Sequence, residues 1–346
     1  MMFLSLLILL TNIQFEKVTT VSGDTPHYFF GNPTVAVFIS ESEFAVADAV
    51  SPVLRVFNIN GDFVREYGSR GRGPGELIEA SSIAFGNGKL VAYDRMQSKF
   101  VVFKEKTHKD ILLTTGATIT PAAFIFSTDS WYMVYREYTM DESGSQNLVH
   151  QWSSDLTEYQ KGYFKMDDVF DMSDPFYQRF VGSPRTGYVN QIGNNLIFTP
   201  YLYDGLHLKY VIGYEEYKEF SVKSFSLEPY SIVRPGARAI RPALRMFGDT
   251  EPIEVNINRH SLGWITQDQK QIHLYAEVID NAWVMNYELF DTESNIIASG
   301  NVEGFTVDSD VTTFFPVRIL GSNNDGEIIV YNSHAEDPAI EIYRLK

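Results

Sequence analysis

The sequence predicts an all-β protein, a six-bladed β-propeller with four antiparallel strands per blade and a ring closed by the N-terminal strand. Three observations predict this fold class. A unit of forty-odd residues recurs early in the chain, apolar segments of strand length continue through all 346 residues, and 25 Phe and 20 Tyr favour strands. Absence of low-complexity tracts argues against disorder.

The repeat is clearest in the first third of the chain. Phe44–Asp48 resembles Leu90–Asp94, and Leu54–Phe57 resembles Phe100–Phe103, each about 46 residues further on. Each of these two units has an apolar strand ending in Asp, a short polar loop and an apolar strand ending in Phe. Asn60–Gly61 adds a hairpin turn, because both residues tolerate positive φ. A period of this length with several short strands is typical of propeller blades.

Later units are less regular but keep pairs of apolar strands. The pairs are Trp131–Arg136 with Leu148–Trp152, Leu196–Thr199 with Leu206–Ile212, and Ile272–Val278 with Ala282–Phe290, followed by Asn295–Val302. The last unit has three strands, Phe314–Leu320, Glu327–Tyr331 and Ala339–Tyr343. An unpaired fourth position would leave an open sheet edge, which proteins avoid. We therefore expect Phe15–Val21 to pair with Ala339–Tyr343 and close the ring.

Residues 15–346 are predicted to form a single propeller domain with insertions at about residues 166–190 and 226–259. Both insertions exceed what blades need, and we expect them over one face of the disc. Asp167–Phe170 and Pro242–Phe247 are candidates for short helices. Residues 1–14 resemble the hydrophobic segment of a signal peptide, although no Lys or Arg precedes it. The alternatives are a hydrophobic first strand and a wrongly assigned start.

Composition excludes several function classes. A net charge of −16 disfavours binding to nucleic acids and to anionic membranes. Absence of cysteine excludes disulfides, thiolate metal sites and thiol catalysis. The N-terminal apolar segment is too short to span a bilayer as a helix. We expect an exported monomer in the periplasm or associated with the cell envelope.

Six arginines are the candidate ligand-binding residues: Arg70, Arg72, Arg234, Arg238, Arg241 and Arg245. The first two lie in the glycine-rich loop Gly68–Glu76, which we interpret as a connector between blades, with Glu76 accepting backbone hydrogen bonds. There they would present two guanidinium groups to an anion or carboxylate. The other four have the spacing of one helix face, but Pro235–Gly236 and Pro242 disfavour a continuous helix. In both places the alternative is a structural or solvated arginine.

Other motifs favour structure over chemistry. Asp48 and Asp94 occupy the same repeat position and are expected to cap the turns that follow them; a shared cation is the alternative. The seven histidines form no H-x-H or H-E-x-x-H pair, and no G-x-S-x-G segment is present. No catalytic residue, metal ligand or cofactor is therefore predicted. A site assembled from separate blades would leave no such local motif.

Phe57–Val64, followed by Tyr67–Gly68 and Gly73–Glu76, resembles the NHL-type propeller repeat. The wider pattern is similar to the six-bladed, TolB-like propellers common in Bacteroidetes-type bacteria, and Asp337–Lys346 resembles the ending of that group. The resemblance implies an exported protein, often lipid-anchored, although this chain lacks the cysteine for such an anchor. Related propellers include binding scaffolds, lyases and lactonases, so the fold does not choose between them.

The sequence thus favours an exported, non-enzymatic propeller that binds a ligand or protein of unknown specificity. Its partner would be a small anionic or carbohydrate ligand, or an envelope protein held by the loops of a rigid ring. The alternative is a metal-dependent lactonase- or lyase-like enzyme. Such an enzyme would need Glu, Asp, Asn or His side chains that converge on a cation in the central channel.

Overall fold

The computed structural model describes residues 12–21, 28–105, 107–112, 121–140, 146–170, 187–212, 217–221, 225, 228–233, 244–246, 253–305, 317–333 and 338–346. Strands are numbered in chain order, beginning with β1 at Ile13–Val21. In this part of the chain the strands form six four-stranded antiparallel blades and one additional three-stranded sheet.

Blades 1 to 3 follow one another directly along the chain. Blade 1 consists of β2 (Pro33–Phe38), β3 (Glu43–Asp48), β4 (Leu54–Asn58) and β5 (Phe63–Tyr67). Blade 2 consists of β6 (Ala80–Gly86), β7 (Lys89–Asp94), β8 (Lys99–Lys104) and β9 (Thr107–Leu112). Blade 3 consists of β10 (Pro121–Ser127), β11 (Ser130–Met140), β12 (Gln146–Ser153) and β13 (Tyr159–Lys165), and the short helix α1 (Met166–Val169) follows it.

The second half of the chain adds an inserted sheet and completes the ring. Blade 4 consists of β14 (Gly187–Ile192), β15 (Asn195–Pro200), β16 (Leu206–Val211) and β17 (Tyr217–Ser221). The inserted sheet contains β18 (Tyr230–Val233), β19 (Leu244–Met246) and β20 (Ile253–Ile257). Blade 5 consists of β21 (Arg259–Gln267), β22 (Lys270–Ile279), β23 (Ala282–Phe290) and β24 (Ile296–Glu303). Blade 6 consists of β25 (Arg318–Ser322), β26 (Glu327–Asn332), β27 (Ala339–Leu345) and β1.

The first strand of each blade contacts the first strand of the next. The order β2, β6, β10, β14, β21, β25 returns to β2, so these six strands surround the central axis. Middle strands are covered on both faces by neighbouring blades; β7, for example, is buried at every residue except its first. Outer strands are less buried; in β5, Phe63, Val64 and Glu66 are exposed and no residue is fully buried. Burial on both faces explains the nearly continuous apolar segments of the middle strands.

The N-terminal strand closes the ring, as predicted. β1 pairs antiparallel with β27, with Phe15 opposite Leu345 and Val21 opposite Ile340. Its first residues also pair in parallel with β24, which joins the outer edges of blades 5 and 6. The strand thereby supplies the fourth position of blade 6 and covers an edge that would otherwise be open.

Asp48 and Asp94 have the structural role predicted from their repeat position. The two carboxylate oxygens of Asp48 accept the N–H of Asn32 at 3.1 Å, and Oδ1 also accepts the N–H of Val50 at 2.8 Å. The carboxylate of Asp94 accepts the N–H groups of Ile78 and Gln97 at 2.6 and 3.1 Å. Each buried carboxylate therefore ties its own turn to the segment that enters the blade.

The helix predicted over Asp167–Phe170 is present as α1, shifted by one residue. The helix predicted over Pro242–Phe247 is wrong, because Leu244–Met246 forms β19 and pairs with Ile253–Val255 of β20. The helical spacing of the arginines did not produce a helix, because pairing with β20 holds this segment as a strand. Only the tertiary structure supplies that partner. Arg245 therefore belongs to a strand and to no helical stripe.

Candidate functional site

Apolar side chains fill five of the six interfaces between blades, each through a cluster of ten or more buried residues. The interface between blades 4 and 5 is different. Among the described residues its apolar cluster has only three buried side chains, Ile192, Ile197 and Phe290. Polar and aromatic side chains occupy much of the remaining interface.

Glu288 lies at the centre of this polar group. Its Oε2 lies 3.2 Å from His207 Nε2 and 3.1 Å from His273 Nδ1. His207 belongs to β16 of blade 4, whereas His273 and Glu288 face each other across β22 and β23 of blade 5. None of the three side chains is more than 1% exposed. The group therefore connects the two blades in a place that solvent does not reach.

Tyr203, in the loop between β15 and β16, completes the inner part of the group. Its phenol O–H donates to the Glu288 carboxylate, with oxygen–oxygen distances of 2.8 and 2.7 Å, and the oxygen lies 3.1 Å from His207 Nε2. Burial, followed by the neighbouring Glu288 charge, raises the pKa of Tyr203 far above its usual range. The phenol is therefore a hydrogen-bond donor at neutral pH.

Two hydroxyl groups hold the outer nitrogens of the imidazole rings. Thr199 Oγ1 lies 2.7 Å from His207 Nδ1, and Ser261 Oγ lies 2.8 Å from His273 Nε2. Both residues are fully buried. Because a hydroxyl group either donates or accepts, it orients its ring in either tautomer. Outer-sphere support of this kind is usual around metal-binding histidines.

The electrostatics of the group favour an ionised Glu288. Burial acts to raise the pKa of Glu288, but hydrogen bonds from His207 and His273 hold that pKa well below its usual range. Burial lowers the pKa of His273, against the opposing effect of its hydrogen bond to Glu288. A carboxylate buried in this way is costly unless positive charge shares the site. The ring nitrogens and the carboxylate oxygen lie within 4.8 Å of one another and are ligand types that zinc prefers.

A second candidate site lies on one face of the ring. Strands alternate in direction, so the loops between second and third strands and the loops between successive blades emerge on the same face. We call it the loop face; within blades 1 and 2 it comprises residues 28–32, 49–53, 68–79 and 95–98. The two predicted insertions fall largely in the connections that follow β13 and β17, and these connections leave the blades on this face.

The glycine-rich loop Gly68–Glu76 is the predicted connector between blades, and hydrogen bonds hold it on both sides. The N–H of Gly71 donates to Leu77 O at 3.0 Å, and the Glu76 carboxylate accepts the N–H of Gly73 at 2.6 Å. Gln97, in the adjacent turn of blade 2, donates its amide to the carbonyls of Gly71 and Glu76 at 3.2 and 3.3 Å. Arg70 and Arg72 are exposed on this well-supported loop.

Large apolar side chains are exposed on the same part of the loop face. Phe29 precedes blade 1, Val50 follows β3, and Met96 follows β7; they are 55%, 59% and 59% exposed. These positions lie on the same face as the loop of Arg70 and Arg72, in or next to blades 1 and 2. Exposed apolar residues beside cationic ones are a feature of surfaces that bind other molecules.

The structure brings together only part of the predicted binding set. Arg70 and Arg72 lie in one loop, as expected. Arg234, Arg238 and Arg241 lie outside the described residues, so a basic site in the second insertion stays a prediction. For Arg245 the structure describes the backbone in β19.

Sequence reasoning did not find His207, His273 and Glu288. The first two lie 66 residues apart in chain order, on different blades, so no short motif contains them. One signal was available: each is an ionisable residue flanked by apolar neighbours within a strand. The predicted hairpin of Ile272–Val278 with Ala282–Phe290 also places His273 opposite Glu288, as observed. No feature of the local sequence indicates that this hairpin lies beside β16.

Comparison with known proteins supports the fold. A sequence model of a family described as a 6-bladed beta-propeller, DUF5128, matches residues 33–204, from β2 to the loop after β15. No curated protein matches the sequence at a significant level.

Solved structures share the architecture at low sequence identity. A candidate exported protein from Bacteroides fragilis is 15% identical, with a TM-score of 0.54 over 96% of this chain and 95% of its own. A member of the duf4221 family from Bacteroides vulgatus is 7% identical, with a TM-score of 0.53 over 98% and 97%. Virginiamycin B lyase from Staphylococcus aureus is 10% identical, with a TM-score of 0.48 over 97% and 100%, a level that supports no inference about activity. These similarities concern the fold alone.

Proposed function

Because the chain is a six-bladed β-propeller protein, we propose that it is an exported, non-enzymatic propeller that binds a partner protein on its loop face. The observation that carries the proposal is the pair Arg70 and Arg72. Both guanidinium groups are exposed, and neither has an ion pair or side-chain hydrogen bond to any residue in the described ranges. Exposed apolar side chains lie on the same face of the ring.

The pair stands out against the other arginines whose side chains the structure describes. Each of the others has a partner: Arg55 with Glu66, Arg65 with Glu43, Arg95 with Glu79, Arg259 with Glu277, Arg318 with Asn32, and Arg344 with Glu327. On a chain with 44 acidic residues, paired arginines are the expected outcome. Two neighbouring arginines without partners therefore favour an external anionic group, which guanidinium binds through two parallel hydrogen bonds.

The loop that presents these arginines is organised before any partner arrives. Its backbone is fixed by Glu76 from within and by Gln97 from blade 2. Lys99 adds a hydrogen bond to the carbonyl of Gly73 at 3.2 Å. A fixed backbone lowers the entropy that binding costs.

The surroundings favour a protein segment over a small free anion. Phe29, Val50 and Met96 would contact apolar side chains, and the two arginines would contact carboxylates. The partner is thus a polypeptide segment in which Asp or Glu residues are combined with aromatic or aliphatic ones. A small carboxylate alone would leave the apolar residues exposed.

A peptide-display selection on the folded protein tests the proposal. We expect enrichment of peptides that combine acidic with apolar residues, and loss of their binding in Arg70→Glu/Arg72→Glu. The matched control is Lys89→Glu/Lys270→Glu, which makes the same change in charge beside the turns of the opposite face and should retain binding. Enrichment without acidic residues, or equal loss in both variants, would refute the proposed surface.

Export rests on the signal-like segment at residues 1–14 and agrees with the candidate exported protein of the same fold from Bacteroides fragilis. The described residues include no helix that is long and apolar enough to cross a membrane. Cell fractionation with an N-terminal sequence of the mature protein tests this part of the proposal; an intact Met1 on cytosolic protein would contradict it.

The enzymatic alternative has less support. It requires metal-binding side chains in the central channel. Within the described ranges, the one group of three such side chains is His207, His273 and Glu288, and it lies between two blades. None of the three belongs to the strands around the axis, so the geometry does not favour channel chemistry.

A further inference from the structure

We infer that His207, His273 and Glu288 form a structural site for one divalent transition-metal ion, with zinc as the best match, and that the ion joins blade 4 to blade 5. The inference is independent of the proposed loop-face function. It rests on the ligand types, their separations, their outer-sphere partners and the place of the site in the fold.

The ligands and their spacing suit zinc. Two imidazole nitrogens and a carboxylate oxygen are common zinc ligands, bound at about 2.0–2.2 Å. In a tetrahedral site, bonds of that length hold neighbouring ligand atoms about 3.3–3.4 Å apart. The separations of 3.2 and 3.1 Å between Glu288 Oε2 and the ring nitrogens of His207 and His273 are within a few tenths of an ångström of this value. All three ligand atoms lie within 4.8 Å of one another, so the two ring nitrogens would approach each other by at most about 1.5 Å when the ion binds.

Tyr203 offers the fourth donor through a lone pair of its neutral phenol oxygen, and the phenol proton stays in the hydrogen bond to Glu288 Oε1 at 2.8 Å. Its oxygen lies 3.1 Å from His207 Nε2 and 2.7 Å from Glu288 Oε2, so it borders the same small volume as the other ligand atoms. A site with four protein groups and no solvent access is of the closed, structural kind. Catalytic zinc sites instead keep an open position for water or substrate.

The hydroxyl groups of Thr199 and Ser261, which contact the outer nitrogens of the two imidazole rings, suit the ion-bound state. When the inner nitrogen of a neutral imidazole binds a metal, the proton must sit on the outer nitrogen. Thr199 and Ser261 then accept hydrogen bonds from His207 Nδ1–H and His273 Nε2–H at the separations already present, 2.7 and 2.8 Å. No proton leaves either ring; it moves between the two nitrogens. The same two hydroxyl groups can therefore serve the imidazole rings in the ion-free and the ion-bound state.

The position in the fold explains what the ion would contribute. Among the described residues, the separate apolar cluster between blades 4 and 5 has three buried side chains, and otherwise Tyr201 and Leu202 of blade 4 join the cluster of blades 5 and 6. The site draws ligands from both blades, because His207 comes from one and His273 with Glu288 from the other. An ion there would compensate the buried carboxylate and link the blades, and its binding energy would add to folding stability.

Metal analysis of the full chain tests the inference. Protein produced with zinc in the medium should contain about one zinc per chain by mass spectrometry of the metal. His273→Gln and Glu288→Gln should abolish this content. The matched control is His150→Gln, which alters another buried histidine, in β12 of blade 3. Ser261→Ala keeps all inner ligands and should weaken zinc binding by about 10- to 100-fold.

A second measurement needs no variant. Wild-type protein is unfolded with chelator, refolded without metal, and melted with and without zinc. Zinc at about a hundredfold excess over its dissociation constant should raise the melting temperature by several degrees, whereas magnesium should not. Cobalt in place of zinc should show the visible absorption of a four-coordinate ion.

Two results would overturn the inference. One is refolded wild-type protein whose melting temperature and cobalt spectrum show no ion at this site. The other is metal content that persists in His273→Gln and Glu288→Gln, which would locate the ion elsewhere on the surface. In either case the group would be a hydrogen-bonded network that holds the blades together without metal.

Discussion

Phe15→Ala tests whether the N-terminal strand closes the ring by packing as well as by backbone pairing. Phe15 is 2% exposed and belongs to the apolar cluster shared by blades 5 and 6. Its ring centroid lies 4.6 Å from that of Phe305, which in turn lies 4.7 Å from Tyr343 of β27. Substitution by alanine therefore removes a ring from the seam between β1 and the last blade.

The expected magnitude follows from burial. Truncation of a buried Phe to Ala costs about 3–5 kcal/mol, through lost transfer energy and the cavity that remains. Unfolding entropies of about 2.1 cal/mol/K per residue give about 0.7 kcal/mol/K for the 346 residues. Phe15→Ala should accordingly lower the melting temperature by about 4–7 °C.

The control lies on the same strand. Val18 is 41% exposed, and Val18→Ala should change stability by no more than about 0.5 kcal/mol, or less than about 1 °C. Scanning calorimetry of both variants and of a chain without residues 1–21, which should be the least stable, provides the comparison. Equal melting temperatures for Phe15→Ala and Val18→Ala would refute the idea that packing of β1 closes the ring.

The seam between blades 6 and 1 and a turn of blade 3 give two further predictions. A Cβ at Gly321 would overlap the carbonyl oxygen of Ala36 in the neighbouring inner strand, so Gly321→Ala should cost about 1–3 kcal/mol, measured by urea unfolding; an unchanged midpoint would contradict the close approach of the two strands. Hydrogen bonds from the Thr157 and Ser153 hydroxyls, with the N–H of Thr157, lower the pKa of Asp155 to about 2. Since this pKa lies below the unfolded value, the contribution is present above about pH 4 and is lost as pH falls toward 2, so the stability difference between wild type and Asp155→Asn should shrink in that window. A carboxyl titration midpoint near 4 by NMR would show that these hydrogen bonds are absent.

The sequence alone determined the blade architecture, because each blade is a local object. Strands within a blade are consecutive and are joined by short turns, so Asn60–Gly61 and the repeated Asp48 and Asp94 mark their order directly. Ring closure by Phe15–Val21 was also predictable, since the last unit had one strand too few. The helix at Pro242–Phe247 failed for the opposite reason: β19 depends on β20, whose pairing the local spacing does not encode.

Only the tertiary structure decided which side chains meet between blades. His273 and Glu288 are cross-strand neighbours within one hairpin, and sequence could have related them. Their contact with His207 and Tyr203 depends on how blade 5 packs against blade 4, which is set by the geometry of the whole ring. The repeat period indicates the order of the blades along the chain. It does not indicate which residues of neighbouring blades face each other. The candidate metal site lies between two blades. Because its ligands come from strands that are far apart in the sequence, no short sequence motif indicates it.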